Sequence, residues 1–307
     1  MDGPDGSLLV IAGPTAVGKT AIGLAVAQAL EGEIISADSQ AVYRGLDIGT
    51  AKASLSDRER TPHHGIDLAD PGSAFSVADF QNAMTQAIAD IQRRDRLPII
   101  VGGTGLWIRA LVRGFHLPEE GRPSPLRSRL TRLGEQEGYD SLRRQLRVVD
   151  PDSYQAIGAN DHRRLVRALE VFMTTGRVMI RHQSETSGFP VVYWVLTRSI
   201  QELRQRIQQR TERMIHEGLT DEVHELLRAG VSPHAQSLTA IGYRETVEWL
   251  YGRLTAVERD ALITRHTNQL AKRQLTWFRA EKNARWLDLS AWPEEAAILK
   301  IVESMRS

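Results

Sequence analysis

Gly13-Pro14-Thr15-Ala16-Val17-Gly18-Lys19-Thr20 fits the pattern G-x-x-x-x-G-K-[ST], and it stands in the context that gives the pattern meaning. The apolar run Leu8 to Ala12 before it reads as a short strand, and residues 21–30 after it read as a helix. Glycines let the backbone N–H groups of such a turn face inward around a phosphate, and the helix N-terminus adds a dipole that favours the anion. Lys19 would reach phosphate oxygens, and the Thr20 hydroxyl would ligand Mg²⁺. Residues 13–20 are therefore expected to bind a phosphate or diphosphate group.

Two further strands extend the unit. Glu33-Ile34-Ile35-Ser36 leads to Asp38, and Pro98-Ile99-Ile100-Val101 leads to Gly102-Gly103-Thr104. Short, wholly apolar strands separated by helices predict an α/β fold, a P-loop NTPase-like parallel sheet with helices on both faces. In such sheets ligands bind beyond the carboxyl ends of the strands, which brings Asp38 and Thr104 to the same mouth as the first turn. A hydrolytic motor of this class carries an acid at a strand end to hold its metal, whereas the third strand here ends in glycines and a threonine. Asp38 is then available for other work. Small-molecule kinases also place an aspartate after their second strand as a base, so at this point a metabolite kinase stays open.

From Phe115 to Pro190 the pattern changes to Arg-rich helical segments broken at Pro118, Pro123, Pro125, Pro151 and Gly176. This predicts a mainly helical insertion, 115–190, within a catalytic core formed by 1–114 and 191–307. The sheet is expected to resume at Val191-Val192-Tyr193-Trp194-Val195-Leu196, and everything beyond reads as predominantly helical. If residues 264–285 are helical, Arg265, Lys272 and Arg279 recur every seven residues on one side, extended by Gln269, Arg273 and Thr276. Leu270, Ala271, Leu275, Trp277 and Phe278 form an opposite, core-packing stripe. Lys and Arg outnumber acids along this helix and again in 122–147, although the formal charge of the whole chain is only +1.

With 307 residues, 41% of them hydrophobic and 25% charged, the composition is that of a globular protein with one sizeable core and a smaller appendage. No run approaches the roughly 18 apolar residues of a membrane span, and there is no basic leader with a small-residue cleavage site. A soluble cytoplasmic protein with no membrane partner is expected. Cysteine is absent, which excludes disulfides, a thiol nucleophile and thiolate zinc sites.

Further segments resemble one family. They are Asp38-Ser39-Gln40-Ala41-Val42-Tyr43-Arg44 with Ile48-Gly49-Thr50-Ala51-Lys52; His63-His64-Gly65-Ile66-Asp67; and Val101-Gly102-Gly103-Thr104-Gly105-Leu106-Trp107. Downstream come Asn160-Asp161-His162-Arg163-Arg164-Leu165-Val166-Arg167-Ala168-Leu169-Glu170, Ala240-Ile241-Gly242-Tyr243-Arg244-Glu245 and Gln269-Leu270-Ala271-Lys272-Arg273-Gln274-Leu275-Thr276-Trp277-Phe278-Arg279. In this order they are similar to bacterial tRNA dimethylallyltransferases, with Gly65 where that family more often has a larger apolar residue and Trp107 where it has tyrosine. Eukaryotic members carry an added zinc finger that a cysteine-free chain cannot build in the usual form.

The resemblance implies transfer of a dimethylallyl group from dimethylallyl diphosphate to the exocyclic nitrogen of the adenine 3′ of the anticodon, with Mg²⁺ as cofactor. It implies Asp38 as the base, Thr104 as a residue that positions both substrates, and Arg210 as a diphosphate contact, with Arg213 left as surface charge. Asp38, Ser39, Gln40 and Ala41 would meet the flipped adenine. Arg163, Arg164 and Arg167 would clamp the anticodon stem-loop, together with Gly242, Tyr243, Arg244, Lys272, Arg273, Gln274, Thr276, Trp277 and Arg279. Adjacent histidines rarely point at one ion, so His63 and His64 are expected to be structural or to meet the tRNA backbone. A monomer is expected. An adenylate isopentenyltransferase, a small-metabolite kinase and a non-enzymatic RNA scaffold are the competing readings.

Overall fold

The computed structural model describes residues 7–114, 124–176, 178 and 190–306. Its centre is a six-stranded parallel sheet in the order β3-β2-β4-β1-β5-β6. Strands β1 (Leu8–Ala12), β2 (Glu33–Ala37), β4 (Pro98–Gly102) and β5 (Val191–Thr197) fall on the predicted apolar runs. Strands β1 and β4 are buried along their whole length, as strands covered on both faces must be.

The outer strands, β3 (His63–His64) and β6 (Arg285–Asp288), carry no apolar run. Beyond β5 the chain is predominantly helical, as expected, with β6 as an added edge strand. That strand pairs with β5 from Trp194↔Arg285 to Thr197↔Asp288, and Leu287 alone of its four residues is buried. A short edge strand with charged ends needs only one inward side chain, so it leaves no periodic signal.

On one face, Leu9, Ile11, Ile99 and Trp194 pack with Ile22 and Val26 of α1 (Lys19–Ala29) and Ala297 and Ile301 of α13 (Glu294–Arg306). The alternate side chains Leu8, Val10, Ile35 and Ile100 are buried on the other face. Helix α3 (Val77–Arg93) has a buried stripe, Phe80, Met84, Ile88 and Ile91, at the spacing of one helix face.

Register aligns the strand ends. Ala12 pairs with Gly102 and Gly102 with Ala37, so β1, β4 and β2 stop in one row. Gly102 permits that closeness, since a Cβ there would come within 2.2 Å of the Ala37 carbonyl oxygen.

The chain divides into two compact units, one made of Met1–Phe75, Phe80–Arg109 and Gly188–Ser307, the other of Ser76–Asp79 and Ala110–Ser187. In the second, α5 (Pro125–Glu137), α6 (Asp140–Val149), α7 (Pro151–Ala156) and α8 (His162–Thr175) surround Leu130, Leu142, Leu146, Leu165 and Leu169. Ser124, Asp150 and Asp161 cap α5, α7 and α8 through side-chain oxygens. The other helices are α2 (Leu55–Arg60), α4 (Gly105–Arg113), α9 (Ile200–His216), α10 (Leu219–Arg228), α11 (Tyr243–Leu250) and α12 (Ala256–Arg279). Among the described residues no helix is long and apolar enough to cross a membrane.

Candidate active site

Beyond the row of strand ends lies a cavity of about 460 Å³. Thr15, Lys19 and Thr20 line it from the first turn, Asp38, Ser39, Gln40 and Ala41 from the end of β2, Thr104 from the end of β4, and Arg210 from α9. Neighbouring strands lie about 4.8 Å apart, so segments leaving β1 and β2, two strands away, start roughly 10 Å from each other.

The first turn is shaped from outside. Arg206 Nε donates to the Ala16 carbonyl at 2.8 Å and Arg198 Nε to the Val17 carbonyl at 2.9 Å. Because a peptide unit is planar and trans, tying the Val17 carbonyl turns the following N–H, of Gly18, the opposite way, while the Val17 N–H meets the Pro14 carbonyl at 3.4 Å. Gly18 begins α1 in the left-handed region (φ 111°). Gly13 cannot carry a side chain, because a Cβ would lie 2.6 Å from the Leu196 carbonyl oxygen. Lys19 Nζ donates to the Pro14 carbonyl at 2.7 Å.

Lys19 and Arg210 place two half-buried cations at the cavity. Burial pulls the Lys19 ammonium down to about 8, with nearby Asp38 resisting and Arg210 adding to the fall. Burial also lowers Arg210, again against the pull of Asp38. Arg210 is held at both ends, donating to Thr15 Oγ1 at 3.1 Å and to the Thr50 carbonyl at 3.2 Å. The negative charge that both cations feel in the site is that of Asp38.

Asp38 is fixed from both sides. The Thr104 N–H donates to the Ala37 carbonyl at 3.1 Å, and Thr104 Oγ1 accepts the Ser39 N–H at 3.1 Å. Asp38 Oδ1 accepts the Gln40 N–H at 2.9 Å, while Oδ2 has no hydrogen-bond partner among the described residues. Gln40 Oε1 is likewise buried without a partner. An acidic oxygen and an amide oxygen, both without a donor, thus line the same cavity.

Several expected RNA contacts are instead engaged inside the fold. Gln274 Oε1 accepts the Thr15 N–H at 2.8 Å and its Nε2 donates to the Gly103 carbonyl at 3.0 Å, which sews α12 to two of the strand-end segments. Tyr243 is fully buried and donates to Glu222 at 2.6 Å. Trp277 is half-buried, with the Arg109 guanidinium 4.3 Å from its ring centre. Gly242 is the N-cap of α11, its N–H donating to Glu245 Oε2 at 2.8 Å. All four take part in the frame, and Gln274 also lines the cavity.

Lys272, Arg273, Thr276 and Arg279 are exposed on α12, as the seven-residue spacing predicts. Arg244 is exposed and engaged with Glu245 and His266. Arg163 and Arg164 are exposed on α8, whereas Arg167 pairs with buried Glu170 at 2.7 Å, as does Arg127. Leu270 corrects the packing stripe, since it lines the cavity beside Ile263, Thr267 and Gln274. Arg213 is exposed, as expected of surface charge, and it borders a second cavity of about 570 Å³ together with Lys19, Thr20, Lys52, Arg206 and Arg210. His64 bonds Glu33 at 2.7 Å, and His63 Nδ1 lies 2.7 Å from the Thr61 carbonyl.

Among the described residues no group of three or more His, Asp or Glu could hold a metal. Thr20, which lines both cavities, fits an ion held mainly by substrate oxygens and water, as Mg²⁺ commonly is in phosphate sites. Sequence reasoning missed the walls of the cavity: Ile207, Thr211 and Met214 on α9, and Ile263 and Thr267 on α12. Their signal was a repeat of three and four residues. It also missed Glu222, whose partners are mostly backbone and leave no trace in a sequence.

Comparison with known proteins adds relatives. The sequence pattern of the IPP transferase family matches residues 41–281. The tRNA dimethylallyltransferase of Desulfitobacterium hafniense is 44% identical over 287 residues, covering 92% of this chain and 91% of that protein. The full-length tRNA isopentenylpyrophosphate transferase of Bacillus halodurans superposes with a TM-score of 0.74 at 39% identity, over 98% of this chain and 96% of that one. A eukaryotic dimethylallyltransferase acting on tRNA superposes with a TM-score of 0.82 at 28% identity, over 97% of this chain and 78% of that one.

Proposed function

This chain belongs to the IPP transferase family, and from that premise we propose that it transfers the dimethylallyl group of dimethylallyl diphosphate to N6 of the adenine immediately 3′ of the anticodon in tRNA. One observation carries the reading: Asp38 and the cationic pair Lys19 and Arg210 line a single cavity at the end of three aligned strands.

The exocyclic nitrogen of adenine is a weak nucleophile because its lone pair is delocalised into the ring. Attack on the allylic carbon is easier if a base takes an N–H proton as the new bond forms. Asp38 Oδ2 supplies that base, and Gln40 Oε1 is suited to the second N–H of the amino group. As the N6–carbon bond forms, the carbon–oxygen bond to diphosphate breaks, and the electron pair leaves with the diphosphate. Lys19, Arg210 and the N-terminus of α1 stabilise that growing charge, which is where catalysis gains most. Mg²⁺ near Thr20 would supply further charge neutralisation when bound. Thr104 orients the base through Ser39.

An adenine stacked in a stem cannot present its amino group to a cavity, so a loop base that flips out is the suitable target. Exposed Lys272, Arg273 and Arg279, and Arg163 and Arg164 on the helical unit, are suited to phosphate contacts that carry no sequence information. A cytoplasmic monomer is part of the proposal.

Labelled dimethylallyl diphosphate with Mg²⁺ tests the reading when offered separately with unmodified tRNA, with AMP, and in parallel with ATP plus metabolites. Label in tRNA alone is the expected result. Label in AMP, or phosphate transfer to a metabolite, would replace the proposal with a nucleotide prenyltransferase or a kinase.

A further inference from the structure

Glu222, in the first turn of α10, accepts four hydrogen bonds on one carboxylate. Oε2 takes the N–H groups of Asp47 at 2.9 Å and Ile48 at 2.8 Å, and Oε1 takes the N–H of Gly49 at 3.2 Å and the Tyr243 hydroxyl at 2.6 Å. Three successive backbone N–H groups converging on one anion form a nest, and each bond is strengthened by the full charge of the acceptor. The next residue, Thr50, offers its carbonyl to Arg210, and Arg210 also grips Thr15 in the first turn. Gly49, Thr50, Ala51 and Lys52 line the cavity. An unbroken run of contacts therefore leads from Glu222 to the anion site without Glu222 lining either cavity.

We infer that Glu222 is a positioning residue for the diphosphate end of the site, holding residues 47–50 so that the Thr50 carbonyl fixes the Arg210 guanidinium. A second, independent feature supports it. The Tyr243 ring fills the space of a side chain at Gly49, where a Cβ would fall 2.4 Å from Cε2, so the loop can lie against the Glu222–Tyr243 pair only with glycine there. Residues 50 and 52 close the loop from its other side, Thr50 Oγ1 donating to the Leu46 carbonyl at 2.6 Å and Lys52 Nζ to the Tyr43 carbonyl at 2.8 Å. Four donors need the four acceptor sites of a carboxylate; a glutamine would turn an NH₂ toward at least one of them.

The inference rests on the prenyl-transfer reading and names a residue for its diphosphate contact. Its test is Glu222→Gln in the full chain, with kcat and KM measured for dimethylallyl diphosphate and tRNA in turn, alone and combined with Arg210→Lys. The KM for the diphosphate should rise roughly tenfold while that for tRNA stays within about twofold, and the double variant should lose clearly less than the product of the single losses, because both act on one contact. An unchanged KM for the diphosphate, an equal rise for both substrates, or losses that multiply would overturn it. Tyr243→Phe removes one of the four donors and keeps the ring; should Glu222→Gln not fold, the same KM split and the same coupling to Arg210→Lys decide the question, with a smaller expected rise. If the unaltered protein transfers no label to tRNA, the reading itself has failed. If it transfers label and the variants match it, only the role of Glu222 has.

Discussion

The cavity and the basic helical surfaces use charge in opposite ways. Around the cavity, Lys19, Asp38 and Arg210 are each pinned by named partners within hydrogen-bond reach. On α8 and α12, Arg163, Arg164, Lys272, Arg273 and Arg279 stand in solvent. Chemistry on a single N–H bond fails if the base moves by an ångström, whereas attraction to a polyanion falls off slowly and tolerates mobile side chains. The difference teaches that the two regions should respond to mutation with different size and different character.

Asp38→Ala is the sharpest way to break the contrast. Transfer should fall by about 10³-fold or more while the tRNA dissociation constant changes less than about twofold, as expected for a residue that acts on a proton. Activity near the parent level would remove Asp38 as the base. Lys19→Ala comes next, with a loss of roughly 10²-fold to 10³-fold in kcat, in line with removal of one donor to a developing anion. A loss confined to tRNA affinity would place Lys19 in the wrong region.

Acidity separates the regions without mutation. With Lys19 drawn down to about 8 by burial, it is charged below that pH and loses its proton above it. Affinity for inorganic diphosphate, followed by calorimetry, should therefore weaken as pH rises past about 8, approaching tenfold per unit. Flat binding up to pH 9.5 would contradict this, and tRNA binding over the same range should change far less. Thr104→Ala should cost roughly tenfold in kcat by freeing the Ser39 N–H and loosening Asp38, with thermal stability little altered. The mildest effect belongs to the exposed surface: Lys272→Ala should weaken tRNA binding a few-fold and flatten the slope of log affinity against log salt by about 0.7 to 1. An unaltered slope would strike Lys272 from the RNA surface.

Residues immediately after apolar strands were legible because the fold itself carries them to one edge; Asp38 and Thr104 needed nothing else. The turn at residues 13–20 was legible for the same reason. Strand β6 was not, since Arg285-Trp286-Leu287-Asp288 buries one side chain and looks like any polar connection. Gln274, expected to meet RNA, was not legible as a tie to residues 15 and 103, since its neighbours Lys272 and Arg273 are charged, yet a helix of 3.6 residues per turn points adjacent positions about 100° apart. Glu222 was illegible in principle, because main-chain donors have no residue type.

Gln274 joins residue 15 to residue 103, and β1, the first strand of the sheet, is flanked by β4 and β5. The Gln274 contacts to residues 15 and 103 can form only after most of the chain has been synthesised. Such distant pairings are also slow to find. The tie that α12 gives the cradle is thus among the last of its contacts to become available as the chain is made.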